Sequence, residues 1–233
     1  GAVLATLPAT VEGGPVVGTL VGMGKQVYDR EGGKAGRNQG LSSPWDVVMS
    51  ADRRVLYVAM AGTHQIWSVD LESKVARAFA GSGREDLLDG PAMDAALAQP
   101  SGLALSSDGT RLYFADSETS AARIVDLKEG TVNTMVGRGL FDFGDVSNTL
   151  ARSRFQHCLG VAIWPREDGA DRVLVADTYN HKEKVVDLDA GRVSELLGVG
   201  RMEDAGSASD LVLDEPGGVC VTRVDGETRL FVA

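Results

Sequence analysis

The chain has 233 residues, of which 43% are hydrophobic and 24% are charged, and these values are ordinary for a soluble globular protein. Its net charge of −10 and its isoelectric point near 4.8 argue against a nucleic-acid surface, because phosphate binding depends on clustered Lys and Arg. No apolar run is long enough to span a bilayer, and residues 1–16, which lack the basic start of a signal peptide, are expected to be a linker or the end of a preceding segment.

The first predicted strand, WDVVMS, follows a Leu-x-x-Pro segment that begins at Leu41. A second strand, VLYVA, ends at the break Ala-Gly-Thr-His, and a third, QIWSVDL, follows that break. A fourth strand, ARAFAG, continues into Gly81-x-Gly83. Each strand is short, rich in β-branched and aromatic residues, and bounded by turn residues, which is typical of antiparallel hairpins.

The same four elements return along the rest of the chain. The residues that mark the entry to each repeat are Pro44, Pro100, Cys158 and Pro216, and they are 56, 58 and 58 residues apart. Four antiparallel strands in each repeat, with no long helix, are typical of β-propeller blades, since one blade cannot bury its own faces. A β-sandwich would not explain this period. We therefore predict an all-β fold in which residues 17–233 form part of a β-propeller of four-stranded antiparallel blades.

The connections between repeats are long, whereas most other turns are short. The three long crossings span residues 84–99, 138–157 and 201–215. In a propeller these crossings lie on the same side as the turns between second and third strands, and we call this side the crossing face. Loops on a rigid scaffold are where binding usually occurs. We therefore expect any binding site on the crossing face.

Several motifs resemble the NHL repeat, which is named for an Asn-His-Leu signature. They are the segments SSPWDVV at Ser42, AMAGTHQIW at Ala59, FAGSG at Phe79, AQPSGLALS at Ala98, FGDV at Phe143, VADTYNHK around Asn180 and EPGG at Glu215. They are most similar to a subgroup, found in animals and plants, that joins a thioredoxin-like domain to an NHL propeller. The signature is incomplete, because its Asn-His pair is present only at Asn180 and His181.

The resemblance implies a larger parent protein. Such propellers have five or six blades, so about four blades' worth would be present here, and the parent would supply the remaining blades and a thioredoxin-like domain. We expect a non-catalytic scaffold whose partner is another protein or that domain, in redox, photoprotective or homeostatic regulation. Any redox activity would lie in the neighbouring domain. The resemblance places the parent in the cytoplasm or in the chloroplast, including the thylakoid lumen, and implies no cofactor. The alternative is a propeller hydrolase or lyase with Ca or Zn in its central opening.

The histidines in the turns after the second strands are the first candidates for chemistry. A zinc site requires three or four convergent ligands, and the chain has only three histidines. We therefore interpret His64 and His181 as turn residues that donate to a backbone carbonyl. Asp116 and Asp177 recur with Asp70, Asp126 and Asp187, and this repetition favours capping of nearby amides over an acid-base pair.

Trp67 occupies the place of Arg123 and Lys184, a position predicted to tolerate solvent. This makes Trp67 the best candidate for a partner contact, although core packing is the favoured interpretation. Cys158 and Cys220 form no CxxC motif and are interpreted as buried small residues rather than a disulfide. No catalytic, cofactor or metal residue is assigned. The residues predicted to form an interaction face are His64, Trp67, Asp116, Arg123, Phe141, Phe143, Asp177, Tyr179 and His181.

Overall fold

The computed structural model describes residues 17–166, 169–200 and 211–233. The predicted linker at residues 1–16 and residues 201–210 of the third crossing lie outside the described residues. The described strands are β1 (Gly32–Ala35), β2 (Pro44–Met49), β3 (Val55–Met60), β4 (Gln65–Asp70), β5 (Val75–Ala80), β6 (Gly90–Pro91), β7 (Pro100–Leu105), β8 (Arg111–Asp116), β9 (Ala121–Asp126), β10 (Thr131–Val136), β11 (Val161–Trp164), β12 (Arg172–Asp177), β13 (Lys182–Asp187), β14 (Arg192–Leu197), β15 (Val219–Val224) and β16 (Glu227–Val232). Five 3-10 segments accompany them, at Gly36–Asn38, Ala61–Thr63, Ser117–Thr119, Leu150–Arg152 and Thr178–Asn180.

The strands form four antiparallel sheets, which are the blades of a partial β-propeller. Blade 1 has the order β1-β5-β4-β3-β2, blade 2 the order β6-β10-β9-β8-β7, blade 3 the order β11-β12-β13-β14, and blade 4 consists of β15 and β16. The innermost strands of neighbouring blades contact one another, and no sheet closes on itself. The prediction of an all-β propeller with antiparallel four-strand blades is confirmed.

Blades 1 and 2 carry a fifth, outer strand that the four-strand pattern did not predict. β1 pairs with β5, and the two-residue β6 pairs with β10. In blade 3 the crossing follows the edge of β14 without forming a strand, and the amide of Val193 donates to the carbonyl of Asn148 at 2.7 Å. An exposed edge strand leaves a row of unpaired amides and carbonyls. The segment that precedes β2 and the crossings 84–99 and 138–157 therefore cover the outer edges of these three blades.

Alternating side chains on each strand fill the junctions between blades. Leu97 and Phe114 of blade 2 pack with Ile66 of blade 1, and Phe155 at the entry to blade 3 packs with Tyr113 of blade 2. The third junction is smaller, and there Leu174 and Val185 of blade 3 meet Val219, Val221 and Leu230 of blade 4. The hydrophobic core therefore lies between the blades, as the repeat pattern requires.

The innermost strands approach one another so closely that certain positions accept only glycine. A Cβ atom on Gly102 would lie 2.5 Å from the carbonyl oxygen of Leu159, and one on Gly160 would lie 2.6 Å from that of Gly217. Both contacts are with backbone atoms, which cannot turn away as a side chain does. Blade 1 has Asp46 in the same place, and its carboxylate accepts the amide of Leu103 at 2.8 Å.

Candidate functional site: the crossing face and the blade junctions

The turns between second and third strands all end in a residue with left-handed backbone geometry. These residues are His64, Ser120 and His181, with φ of 55°, 48° and 55°. Each of their side chains accepts a hydrogen bond from the amide at the entry to the next blade. The pairs are His64 Nδ1 with Gln99 N at 3.3 Å, Ser120 Oγ with His157 N at 3.0 Å, and His181 Nδ1 with Glu215 N at 3.1 Å. We call these three bonds the junction latches.

The latches correct the predicted role of the histidines. His64 and His181 accept a backbone amide of the next blade and do not donate to a carbonyl of their own turn. Acceptance at Nδ1 requires that nitrogen to carry no proton. The residues that donate, Gln99, His157 and Glu215, themselves have positive φ values of 60°, 49° and 45°. Such geometry is uncommon outside glycine, so each latch holds a strained entry to a blade.

Blade 2 contains a buried ion pair beside its latch. Arg123 Nη1 donates to Asp116 Oδ2 at 2.8 Å, and the other oxygen, Oδ1, accepts the amide of Ala98 at 2.8 Å. Arg123 also donates to the carbonyls of Ala96 and Leu88 and, through Nη2, to Asp89 at 3.0 Å. Burial raises the pKa of Asp116, while Arg123 and the amide of Ala98 oppose that rise. The pair fastens the crossing 84–99 to the blade that it enters.

Blade 3 repeats this arrangement with lysine in place of arginine. Lys184 Nζ lies 2.7 Å from Asp177 Oδ2 and 2.6 Å from Asp145 Oδ1, and Asp177 Oδ1 accepts the amide of Gln156 at 2.7 Å. Lys182 Nζ lies 2.8 Å from Asp145 Oδ2. Burial raises the pKa of Asp177, and Lys184 opposes the rise. Burial alone would raise the pKa of Asp145, but hydrogen bonds and charge from its two lysine partners lower that pKa below its ordinary value.

Blade 1 fills the same position without charge. Met60 stands where the other blades have Asp116 and Asp177, and Trp67 stands where they have the cation. The Met60 sulfur is 3.3 Å from the amide of Ser42, which is the counterpart of Ala98 and Gln156. Trp67 is buried with Met60 in one apolar cluster, and its Nε1 donates to Gln65 at 3.1 Å. One position of the blade therefore accepts either an ion pair or an apolar pair.

This burial corrects four residues of the predicted interaction face. Trp67 and Arg123 are 1% and 0% exposed, so their position does not tolerate solvent, and the core-packing alternative for Trp67 is the correct one. Asp116 and Asp177 are also fully buried. The amides they accept lie 18 and 21 residues away, so the predicted local capping is wrong for both. It holds for Asp70, Asp126 and Asp187, which cap amides two or three residues ahead.

The remaining predicted residues do reach the surface of the crossing face. Phe141 is 87% exposed, Phe143 is 56% exposed and Tyr179 is 44% exposed. The ring of Tyr179 stacks on His157, with centroids 4.5 Å apart and planes 18° apart. His64 and His181 are partly buried in their latches. Three of the predicted residues, Phe141, Phe143 and Tyr179, are therefore exposed aromatic side chains, and we call these three the aromatic patch.

The loop that carries two of these rings is fixed at several points. Asn180 Nδ2 donates to the carbonyl of Gly144 at 2.8 Å, and Arg154 Nε donates to Asp142 Oδ1 at 2.8 Å. Asp145 is held by the two lysines of β13. Phe141 has a positive φ of 66°, and its exposed ring makes no aromatic contact. The loop is therefore a supported platform for aromatic side chains that the fold does not use.

The central opening is lined by residues of the innermost strands. Trp45, Asp46, Ser101 and His157 border a cavity of about 500 Å³. Burial raises the pKa of Asp46, and the amides of Leu103 and Val47 oppose the rise. Within the described ranges, no group of three or more His, Cys, Asp or Glu side chains is arranged to hold a metal ion. No helix in these ranges is long and apolar enough to cross a membrane.

Sequence reasoning missed several residues of the latches and ion pairs. Ser120, Gln99 and Glu215 take part in latches, and Asp89 and Asp145 bind the buried cations. The repeat register contained a signal for Ser120, since it aligns with His64 and His181. Both cysteines are free, and Cys158 is buried as predicted, whereas Cys220 is exposed.

Comparison with known proteins found relatives but no matching family model. The chain is 40% identical to NHL repeat-containing protein 2 of Bos taurus, over 88% of this chain and 32% of that protein. It is 38% identical to Protein SUPPRESSOR OF QUENCHING 1, chloroplastic, of Arabidopsis thaliana, over 93% of this chain and 21% of that protein. The chain thus spans a third or less of these relatives. A solved Bacteroides thetaiotaomicron protein of unknown function has a TM-score of 0.50 at 17% identity, covering 65% of this chain and 40% of that one, and it supports the fold alone.

Proposed function

The chain has the NHL-repeat β-propeller fold and is similar to NHL repeat-containing protein 2 and SUPPRESSOR OF QUENCHING 1, and from this premise we propose that it acts as a non-catalytic scaffold for protein interaction. Its docking surface is the aromatic patch on the crossing face. The partner is another protein or a thioredoxin-like domain of the same parent chain. Redox, photoprotective or homeostatic activity belongs to that parent, and the other blades of the propeller come from it as well.

The observation that carries this proposal is that the recurring polar residues already make structural contacts within the propeller, whereas the rings of Phe141 and Phe143 are exposed. His64, Ser120 and His181 are used by the junction latches, and the buried acids are used by Arg123 and Lys184. The exposed rings of Phe141 and Phe143 make no comparable contact with the described residues. Large aromatic side chains supply much of the free energy at protein interfaces, above all where they are held in place before binding.

The support beneath the patch strengthens the proposal. Asp142 and Asp145 lie on either side of Phe143, and both bind cations of the same blade or crossing. The backbone between them is further held through the carbonyl of Gly144. A loop fixed in this way loses little conformational entropy when a partner binds, so its aromatic contacts add to the affinity.

The test is a binding measurement on the full-length protein and its variants. We expect Phe141→Ser with Phe143→Ser to weaken binding of the separately expressed thioredoxin-like domain, or of the main cross-linked partner, at least tenfold. Met49→Ser provides the control, because Met49 is 45% exposed but lies at the opposite end of β2. Equal affinity of the double variant and the wild type would reject the aromatic patch as the docking surface.

A further inference from the structure

Glu183 is a carboxylic acid placed inside the junction between two blades. Its side chain is 0% exposed, and neither Oε1 nor Oε2 has a hydrogen-bond partner among the residues that the structure describes. It lies in β13 opposite Ala176 of β12 and Leu197 of β14. A buried carboxyl without a hydrogen bond is costly, and a buried carboxylate is far more so. The fold therefore retains at this position a group whose burial lowers its stability.

Strand alternation shows which junction contains this acid. Side chains two residues apart in a strand share a face, so Glu183 lies on the same side of β13 as Val185. Val185 packs with Leu174 against Val219 of blade 4. Lys182 and Lys184 point to the other side, where they bind Asp145. The carboxyl of Glu183 therefore faces blade 4 and is separated from the lysines of its own strand.

The other two described junctions have apolar residues in this place. The counterparts of Glu183 in the repeat register are Ile66 in β4 and Ala122 in β9, and both are fully buried. Ile66 packs with Leu97 of blade 2, and Ala122 packs with Phe155 at the entry to blade 3. The position itself thus requires no acid. The acid distinguishes the third junction from the first two.

We propose that Glu183 makes the junction between blades 3 and 4 sensitive to protons: the closed junction holds the neutral carboxyl, and loss of its proton favours an open junction in which the carboxylate reaches water. The proton passes to solvent on opening and returns on closing, so the device needs no other reactant. The two blades of this junction share a small apolar cluster, in which three of the described residues are buried. Opening here costs less burial than at the other junctions.

The electrostatic surroundings agree with a neutral carboxyl. Burial, and secondarily the charge of Asp177, raise the pKa of Glu183 from 4.5 to about 8. Asp177 and Glu195, from the strands on either side, both face the lysine side of the sheet. At the entry to blade 4, Asp214 and Glu215 are exposed, and His181 is engaged by the amide of Glu215. The titratable groups on the described elements around Glu183 include Asp177, His181, Lys182, Lys184, Glu195, Asp214 and Glu215.

The sign of the pH dependence follows from these values. The pKa is higher in the closed state than in the open state, so closing takes up a proton between pH 4.5 and about 8. The closed state is therefore fully favoured below pH 4.5, is weakened progressively up to about pH 8, and changes no further above that value because both states are then ionised. Within this interval the opening equilibrium changes by up to tenfold for each pH unit.

The test is hydrogen exchange in the full-length protein, expressed as protection factors so that the intrinsic pH dependence cancels. We expect the protection of β15 and β16, relative to β8 and β9, to fall by up to tenfold per unit between pH 5.5 and 7.5 in the wild type. Glu183→Gln should abolish this slope. The control Glu129→Gln, which changes an exposed acid in a turn, should behave like the wild type.

A second variant keeps the proposal testable if Glu183→Gln fails to fold. Glu183→Ala introduces the residue that β9 has at this register, and it should also give a slope near zero. The proposal is overturned if β15 and β16 lose protection equally in the wild type and in either Glu183 variant. It is also overturned if the wild type shows no slope relative to β8 and β9.

Discussion

Trp67 in β4 and Arg123 in β9 occupy the same position of successive blades, and both side chains are buried. Trp67 lies with Met60 in an apolar cluster, whereas Arg123 forms an ion pair with Asp116. A buried ion pair can often be replaced by apolar residues at little cost, but removal of one partner leaves an unpaired charge. The chain contains an apolar pair and an ion pair at equivalent positions, so their contributions to stability can be compared within one protein.

Removal of Asp116 alone should be strongly destabilising. We expect Asp116→Met to lower the free energy of unfolding by about 3–5 kcal/mol, because Arg123 is then left without its fully buried partner. Asp116→Met combined with Arg123→Met should recover at least about 1.5 kcal/mol of that loss, as a positive coupling in a double-mutant cycle. Urea denaturation measures all three variants. A double variant that merely sums the two single losses would contradict an interaction between these side chains.

The latch of blade 1 should depend on an acceptor rather than on imidazole as such. His64→Asn keeps an acceptor near the position of Nδ1 and tolerates left-handed geometry, so it should change stability little. His64→Phe fills similar space but leaves the amide of Gln99 unpaired, and we expect a loss of about 1 kcal/mol. Thermal and urea unfolding measure both variants. Equal stability of the Asn and Phe variants would show that ring packing, not the hydrogen bond, is what matters.

The close approach of the innermost strands should make replacement of Gly102 destabilising. Gly102→Ala puts a Cβ atom 2.5 Å from the carbonyl oxygen of Leu159, so the backbones must separate, and we expect a loss of about 1–3 kcal/mol. Gly217→Ala is the matched control, because the nearest atom to its Cβ is a side-chain carbon at 3.9 Å. Urea denaturation compares the two variants. A similar cost at both positions would argue against strand separation as the cause.

Acid stability should report on the turn between β7 and β8. Asp108 accepts hydrogen bonds from Ser106 Oγ and from the amide and hydroxyl of Thr110, and these lower its pKa from 3.8 to about 2. A pKa lowered by folding stabilises the protein above the unfolded value, and this contribution is lost as pH falls from about 4 to about 2. Asp108→Asn should therefore flatten the stability profile in that interval, as measured by thermal unfolding.

The Ser106 hydroxyl provides a finer check on this prediction. It is the largest cause of the lowered pKa of Asp108, at an oxygen-to-oxygen distance of 2.6 Å. Ser106→Ala should raise that pKa and move the acid transition to higher pH without abolishing it. A transition that does not move would assign the pH dependence to other carboxylates.

Much of the fold could be predicted because the repeat combines local and periodic signals. The strand pattern, the entry prolines and the Gly-x-Gly exits all recur with nearly one period, so each blade confirms the others. The outer strands β1 and β6 were not predictable in this way. Gly32–Ala35 and Gly90–Pro91 have no strand pattern of their own, and they pair only because the crossing returns along the edge of β5 or β10.

The polar site was harder to predict, because its partners lie far apart in the chain. Nothing in the neighbourhood of Asp116 indicates that it binds the amide of Ala98 and the guanidinium of Arg123 rather than its own turn. The predicted solvent exposure of the Trp67 position is wrong for a related reason, since the equivalent residues in the other blades are the charged Arg123 and Lys184. Charge at a repeated position ordinarily indicates exposure, whereas in this propeller it marks a buried ion pair.

The junction latches also set a direction along the nascent polypeptide. In each of them the acceptor side chain precedes the amide it binds, by 35, 37 and 34 residues at His64, Ser120 and His181. A blade that leaves the ribosome first thus completes its own turn and then offers a docking point for the entry of the one that follows. The N-terminal part of a chain is the first to leave the ribosome and to be able to fold. Each latch therefore joins the entry of a blade to an acceptor that is translated before it.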